Sequence, residues 1–197
     1  MAKTTKHDIK TDYLLEKGIE VLWAKGYNAT SVNDIVKFAD IPKGSFYFYF
    51  DSKEDFAVKA LEKYFDSNFS PALEVLQNSS PSPKQRLLNF YEFRSNMLKE
   101  KLNCTMGCLG CNLSNEMSEH SEAIRIRMAG ISQFVENSIV QVVKEAQEQG
   151  EISTKFGAKQ LVSFFENAGK GAMITMKEFK SSEPIDNILH IIHQILE

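Results

Sequence analysis

Apolar residues recur at helical spacing along most of the chain. Between residues 7 and 26, Leu15, Ile19, Leu22 and Gly26 fall on one face, with Leu14 and Gly18 beside it. Asp12, Glu16, Lys17, Glu20 and Lys25 occupy the remaining surface. This pattern predicts an amphipathic helix with Gly26 as its C-terminal stop. A short second helix is predicted from Ser31, because Ser31-Val32-Asn33-Asp34 has the form of a capping box. Its apolar stripe is Val32, Ile35, Val36 and Ala39, and Asp40 ends it, since Asp tolerates the left-handed backbone of a tight turn. Pro42 suits the first turn of a third helix, where a missing N–H costs nothing. Ser52 and Asp55 cap a fourth, which runs to about Phe69. A Ser- and Pro-rich loop spans 78–83. Amphipathic segments follow at roughly 84–101, 104–118, 122–149 and 156–179, then from Pro184 to the end. The chain is predicted to be all-α.

The run Phe46-Tyr47-Phe48-Tyr49-Phe50 breaks this order. Successive side chains on a helix point about 100° apart, so five consecutive rings cannot all face a core. Its Phe/Tyr alternation also fits a strand, but both flanks are helical and no partner strand is evident. On a helix Phe46 and Phe50 share the inner face, which leaves Lys43, Ser45, Tyr47 and Tyr49 elsewhere. Exposed rings beside a lysine call for a partner.

Composition is that of an ordinary globular protein: 197 residues, 43% hydrophobic and 25% charged, enough for one large domain or two small ones. No apolar run reaches the ~18 residues of a membrane span, and no apolar stretch follows Met1–Lys6. A cytoplasmic protein with no membrane partner is expected. The net charge of -3 argues mildly against nucleic acid, yet residues 1–53 carry eight lysines against seven acids. They contain no arginine, so any contact to guanine there must come from lysine.

Three local patterns combine in one order. Gly26-Tyr27-Asn28-Ala29-Thr30-Ser31-Val32 resembles a Gly-aromatic-x-x-Thr-Ser/Thr-hydrophobic junction, and Lys43–Phe50 resembles a Gly-x-hydrophobic-Tyr-x-His/Tyr-Phe recognition helix. Lys53 stands where a lysine opens the fourth helix. On these residues, the stretch 9–56 resembles the N-terminal domain of TetR/AcrR-family transcriptional regulators. Departures are Asp40 in place of a usual Gly, Pro42 in place of a usual Ser, and Leu22 in place of a common Phe. The resemblance implies a helix-turn-helix DNA-binding domain over residues 1–50 and a helical effector-binding and dimerisation domain over 51–197. It further implies a homodimer, usually a repressor, that binds double-stranded DNA at a near-palindromic operator and is released by a small-molecule effector. It implies neither enzymatic activity nor a cofactor.

In such a domain the third helix enters the major groove. Lys43 is then placed to reach guanine, Ser45 to donate or accept, and Gly44 to let the backbone approach closely. Tyr47 can meet a thymine methyl with its ring or a phosphate with its hydroxyl. Thr30, Ser31, Tyr49 and Lys53 are expected at phosphates, helped by helix N-termini, and Asn33 at bases. The last two helices are expected to form the dimer interface through Ala168, Gly171, Ala172, Ile188, Ile192 and Ile195.

Cys104, Cys108 and Cys111 form a separate cluster. Their spacing matches the iron–sulfur signature of radical enzymes that use S-adenosylmethionine, but no strand precedes it and the chain is too short for that barrel. Gly107–Glu116 resembles the start of helix six in a TetR subgroup that includes electrophile- and oxidant-responsive repressors, with Cys108 as reactive thiol and Cys104 or Cys111 resolving it. On a regular helix the three would share a face, although Gly107 and Gly110 favour local irregularity. The alternatives are a cysteine-ligated metal or iron–sulfur sensor on the same fold, an enzyme using the cluster, and plain core packing, where free cysteines usually sit. His7, His120, His190 and His193 are scattered, so no metal is assigned. Phe164, Phe165, Met173 and Met176 line an apolar pocket or belong to plain core.

Overall fold

The computed structural model describes residues 6–197; Met1–Thr5, the start of the expected first domain and of the segment expected to lack an apolar leader, lie outside the described residues. Among the described residues there are ten α-helices: α1 (Lys6–Lys25), α2 (Val32–Phe38), α3 (Lys43–Tyr49), α4 (Lys53–Asn68), α5 (Ser70–Gln77), α6 (Pro83–Asn96), α7 (Leu109–Met117), α8 (Glu122–Glu148), α9 (Ala158–Phe179) and α10 (Glu183–Leu196). The all-α expectation holds. Two compact units divide the chain, one reaching to Ser67 and including Leu109–Ala129, the other made of Asn68–Cys108 and Gly130–Glu197.

In the first unit, α1 buries Leu14, Leu15, Ile19 and Leu22, the face expected from the periodicity. Gly26 ends it at φ +81°, a backbone that glycine adopts without strain. Phe46, Phe50 and Phe56 are buried together, with ring centroids 5.2, 5.7 and 5.0 Å apart in the tilted and edge-on geometries that aromatic rings prefer. Burial of each such side chain stabilises by roughly 2–3 kcal/mol. Gly18 makes the cluster possible: a Cβ there would lie 2.1 Å from Phe56 Cζ and 3.1 Å from Ile35 Cγ2. The Phe56 ring sits where any other residue would put its side chain.

The link from α2 to α3 follows local rules. Ser31 Oγ accepts from the Asp34 N–H while the Asp34 carboxylate accepts from the Ser31 N–H, the expected capping box. Asp40 adopts the left-handed conformation, φ 53°. Pro42 stands one position earlier than expected, as the N-cap of α3, and no side chain caps that helix.

The fourth helix ends at Asn68, as expected, and Pro71 sits in the first turn of a further helix, α5, to which no element was assigned from the sequence. Two expectations in the second unit are corrected. The segment 84–101 is not one α-helix: α6 ends at Asn96 and passes into a π-helical turn, Met97–Lys101. The segment 104–118 is helical only from Leu109, because Asn103 and Cys104 both have left-handed backbone, φ 46° and 56°. Elsewhere α9 packs on α10, burying Leu161, Phe165, Met173 and Met176 with Ile185, Ile192 and Leu196. Phe164 is exposed and lines an open groove with Lys159, Ser163 and Asn167, outside the core.

Substituting Gly18→Ala should cost about 1–3 kcal/mol of unfolding free energy through overpacking against Phe56. The double variant Gly18→Ala/Phe56→Leu should be less destabilised than the sum of its parts, because the shorter side chain vacates the colliding position. Strict additivity in urea unfolding would show that the two sites do not meet.

Candidate nucleic-acid interface

The sequence of α3 divides its surface by helical geometry. Phe46 and Phe50 point inward with at most 1% of their surface exposed, while Tyr47 is 57% and Phe48 72% exposed. Lys43 and Gly44 are exposed, and Ser45 and Tyr49 are half-buried. Phe48, which the sequence left without a role, packs its inner edge against His7 of α1 and the Tyr49 ring, at 5.4 and 5.1 Å. His7 also meets Tyr49 at 5.1 Å. The outer rings of α3 are therefore steadied from α1, a long-range contact that no local pattern announces.

On α2 and its cap, Ser31 and Asn33 are exposed. The Ser31 hydroxyl donates to Asp34 at 2.5 Å, and Lys25 pairs with the same carboxylate group at 3.0 Å. Ser31's hydroxyl and N–H, with the Lys25 ammonium, hold the Asp34 carboxyl well below the ordinary carboxylate range.

Thr30 and Lys53, expected at phosphates, both bond to carbonyls of the turn between α1 and α2. Thr30 is 1% exposed and its hydroxyl donates to the Gly26 carbonyl at 2.6 Å, so it is a structural tie. The Lys53 ammonium donates to the carbonyls of Tyr27 and Thr30, both at 2.8 Å, and lies 3.9 Å from the Tyr27 ring centroid. Burial lowers its pKa, and the nearby Glu116 carboxylate opposes the shift.

Glu116 is the residue that the sequence did not reveal. It stands on α7, yet its carboxylate accepts from the N–H groups of Tyr27 at 2.7 Å and Asn28 at 2.6 Å. A Cβ on residue 26 would lie 2.9 Å from Glu116 Oε2, so the carboxylate nests where Gly26 has no side chain. The turn between α1 and α2 is thus gripped on its carbonyls by a cation and on its N–H groups by an anion. Burial first, then the carboxylates of Glu54 and Glu116, raise the pKa of the Tyr27 phenol. In the same unit the Ser121 hydroxyl donates to Glu54 of α4 and accepts from the Ile124 N–H, capping the start of α8. These contacts join residues 67 to 89 positions apart, beyond the reach of periodicity.

The cysteines do not share a helix face. Cys104 is buried on the left-handed turn, Cys108 is half-buried just before α7, and Cys111 is half-buried on α7; all three are free thiols. Among the described residues no three His, Cys, Asp or Glu side chains are grouped to hold a metal ion. Arg94 of α6 interacts electrostatically with Cys108. Of the expected interface residues, Gly171 is exposed and Ala168, Ile188 and Ile195 are half-buried. Ala172 and Ile192, 7% and 3% exposed, pack inside the chain and offer no surface to a partner. Phe164, Ile174, Phe179 and Ile191 are exposed apolar residues on the same two helices. No described helix is long and apolar enough to cross a membrane.

Comparison with known proteins identifies relatives of the whole chain. Residues 14–60 match the family model for bacterial regulatory proteins of the tetR family, and residues 83–192 match that for a tetracyclin repressor-like C-terminal domain. The chain is 31% identical to the HTH-type transcriptional repressor DhaR of Mycobacterium sp. (strain GP1), over 93% of this chain and 90% of that one. It is 29% identical to the HTH-type transcriptional repressor NemR of Escherichia coli (strain K12), over 100% and 98%. The crystal structure of E. coli NemR in its reduced form superposes with a TM-score of 0.85, covering 94% of this chain and 96% of that one at 29% identity.

Glu116→Ala should lower unfolding free energy by about 1–2 kcal/mol, the scale of charge-assisted hydrogen bonds lost from a partly exposed turn. Hydrogen exchange at the Tyr27 and Asn28 amides should accelerate more than at neighbouring α1 amides. Unchanged exchange at those two positions would mean that the carboxylate does not hold the turn in solution.

Proposed function

The chain belongs to the TetR family of bacterial transcriptional regulators, and we propose that it is a homodimeric repressor whose α3 reads a near-palindromic operator. As a member of that family it is a DNA-binding transcriptional regulator, not an enzyme. The observation that carries the finer reading is the two-sided α3: its inner rings fix it to the core, and Lys43, Gly44, Tyr47 and Phe48 face outward. In the major groove Lys43 reaches the acceptor edge of guanine, Ser45 donates or accepts, and Tyr47 meets a thymine methyl or a phosphate. Ser31, Asn33 and Tyr49 flank this face. Thr30 and Lys53 act through the turn that they hold. Residues 1–50 do the reading; residues 51–197 bind the effector and dimerise, with Glu116 returning to the reading part.

Dimerisation through α9 and α10 would cover Ala168, Gly171, Ile188 and Ile195 together with Phe164, Ile174 and Ile191, an exposed apolar surface larger than scattered single residues. Two-fold symmetry then sets half-sites about 34 Å apart. A small-molecule effector that prefers the arrangement unable to bind DNA shifts the population away from the operator. The work of the protein belongs in the cytoplasm. Both Glu116 and Lys53 end on the Gly26–Thr30 turn, so a displacement of α7 or α4 reaches the reading helices directly.

A second reading concerns the signal itself. Cys108 is the half-buried thiol that interacts with Arg94, and a guanidinium beside a thiol favours the nucleophilic thiolate. NemR, solved in a reduced form, is a full-length relative. The neighbouring Arg94 charge supports Cys108 as an electrophile sensor, with Cys111 nearer in chain and accessibility than the buried Cys104 as a resolving thiol.

Lys43→Ala/Tyr47→Ala should abolish the footprint on the DNA upstream of this protein's own gene while the protein stays dimeric in sedimentation. Each lost base contact is worth about 1–3 kcal/mol. A retained footprint would overturn the assignment of α3. For the thiol, treatment with N-ethylmaleimide should release DNA from the wild type and not from Cys108→Ser; equal response of both proteins would exclude Cys108 as the sensor.

A further inference from the structure

We infer that Phe48 is a specificity-determining residue that reads a thymine methyl in the operator, and that His7 of α1 is the positioning residue that holds its ring in place. The inference rests on the reading above, in which α3 enters the major groove. Among the described residues of the first unit, Phe48 is the most exposed large apolar side chain, at 72%. A phenyl ring left in water forfeits the burial that a partner would give it. Gly44 and Phe48 stand four residues apart, as do Lys43 and Tyr47, so the four share the outward face of α3. Beyond its neighbours in the chain, no side chain comes within 4 Å of where a Cβ on Gly44 would stand, so the surface one turn before Phe48 is open. The phenyl ring has neither donor nor acceptor. It cannot read the hydrogen-bonding edges of the bases, and the apolar feature that a base displays in the major groove is the thymine methyl.

A lone exposed side chain samples several rotamers, and ordering it on DNA costs affinity. Here three rings brace one another. The Phe48 centroid lies 5.4 Å from that of His7 and 5.1 Å from that of Tyr49, and His7 lies 5.1 Å from Tyr49. Phe48 meets both partners edge-on, at 62° and 90°, an arrangement that aromatic quadrupoles favour. His7 stands in the first turn of α1. That helix is tied to the end of α2, because the Tyr13 hydroxyl donates to the Ala39 carbonyl at 3.4 Å and Leu14 and Leu15 are buried. The brace therefore comes from a fixed element. His7 Nδ1 lies 3.9 Å from Asp8 Oδ1, beyond hydrogen-bonding distance, so the imidazole acts on α3 through its ring.

The test uses the full-length protein and the DNA upstream of its own gene. Within the wild-type footprint each thymine is replaced in turn by deoxyuridine, which removes only the methyl. At one thymine per half-site, wild-type affinity should fall about fourfold, the worth of one buried methyl. Phe48→Ala should bind the unmodified fragment more weakly and show no further loss at that thymine. His7→Ala should shrink the loss there, and His7→Phe, which restores a ring without a charge or a hydrogen bond, should bring it back. Both positions lie outside the core, so all three variants should keep the wild-type Tm. An equal loss at every thymine in wild type and Phe48→Ala would overturn Phe48 as a reader. Behaviour of His7→Phe identical to that of His7→Ala would overturn the positioning role. Absence of a wild-type footprint on unmodified DNA would overturn the regulator reading as well, so the two failures are distinguishable.

Discussion

A five-residue stretch of backbone, Gly26–Thr30, is held by two opposite charges that arrive from distant parts of the chain. Lys53 takes its carbonyls and Glu116 takes its N–H groups. Each bond is charge-assisted, which makes it roughly twice as strong as a neutral one. The division follows peptide chemistry, since carbonyls accept and N–H groups donate. Because α1 enters this turn and α2 leaves it, their mutual orientation is set here. The capping box of α2 and the left-handed Asp40 then pass that orientation to α3. The aromatic cluster of Phe46, Phe50 and Phe56 anchors α3 in the core, but rings alone leave the direction of α2 underdetermined.

Much of this was legible in the sequence because it is local. The capping box at Ser31, the stop at Gly26, the left-handed Asp40 and the inward Phe46 and Phe50 each follow from a few adjacent residues. What was hidden is long-range or depends on strain. Glu116 looks like one more solvated acid on a helix, and its partners lie 88 and 89 positions away. Thr30 and Lys53 were visible as important residues, but a hydroxyl near a helix start and a lysine near a DNA face look alike whether they meet a phosphate or a carbonyl. The cysteine segment misled because its 4-and-3 spacing fits a helix, while consecutive left-handed residues at Asn103 and Cys104 break that helix. Ala172 and Ile192 were drawn toward an interface because small and aliphatic residues suit helix packing inside a chain as well as between chains.

The second unit separates two kinds of apolar surface on the same helices. One face of α9 and α10 is filled from within by Phe165, Met176, Ile192 and Leu196; the other shows Phe164, Ile174 and Ile191 to its surroundings. Polar groups are rare on the inner side and cluster at Tyr91, Arg94 and Glu166, where a charge pair is held among aromatic rings. An ion pair held partly out of water contributes little net stability compared with apolar packing, so the surrounding rings and aliphatic side chains carry the stability of this region.

Returning to the clamp, both of its charged groups grip main-chain atoms. The side chains of Asn28 and Ala29 take no part in it. Those positions can therefore vary without loosening the joint, whereas glycine at 26 and the reach of one glutamate and one lysine cannot. The joint between α1 and α2 is thus indifferent to what side chains positions 28 and 29 carry, and a change of sequence there leaves the entry angle of α2 intact.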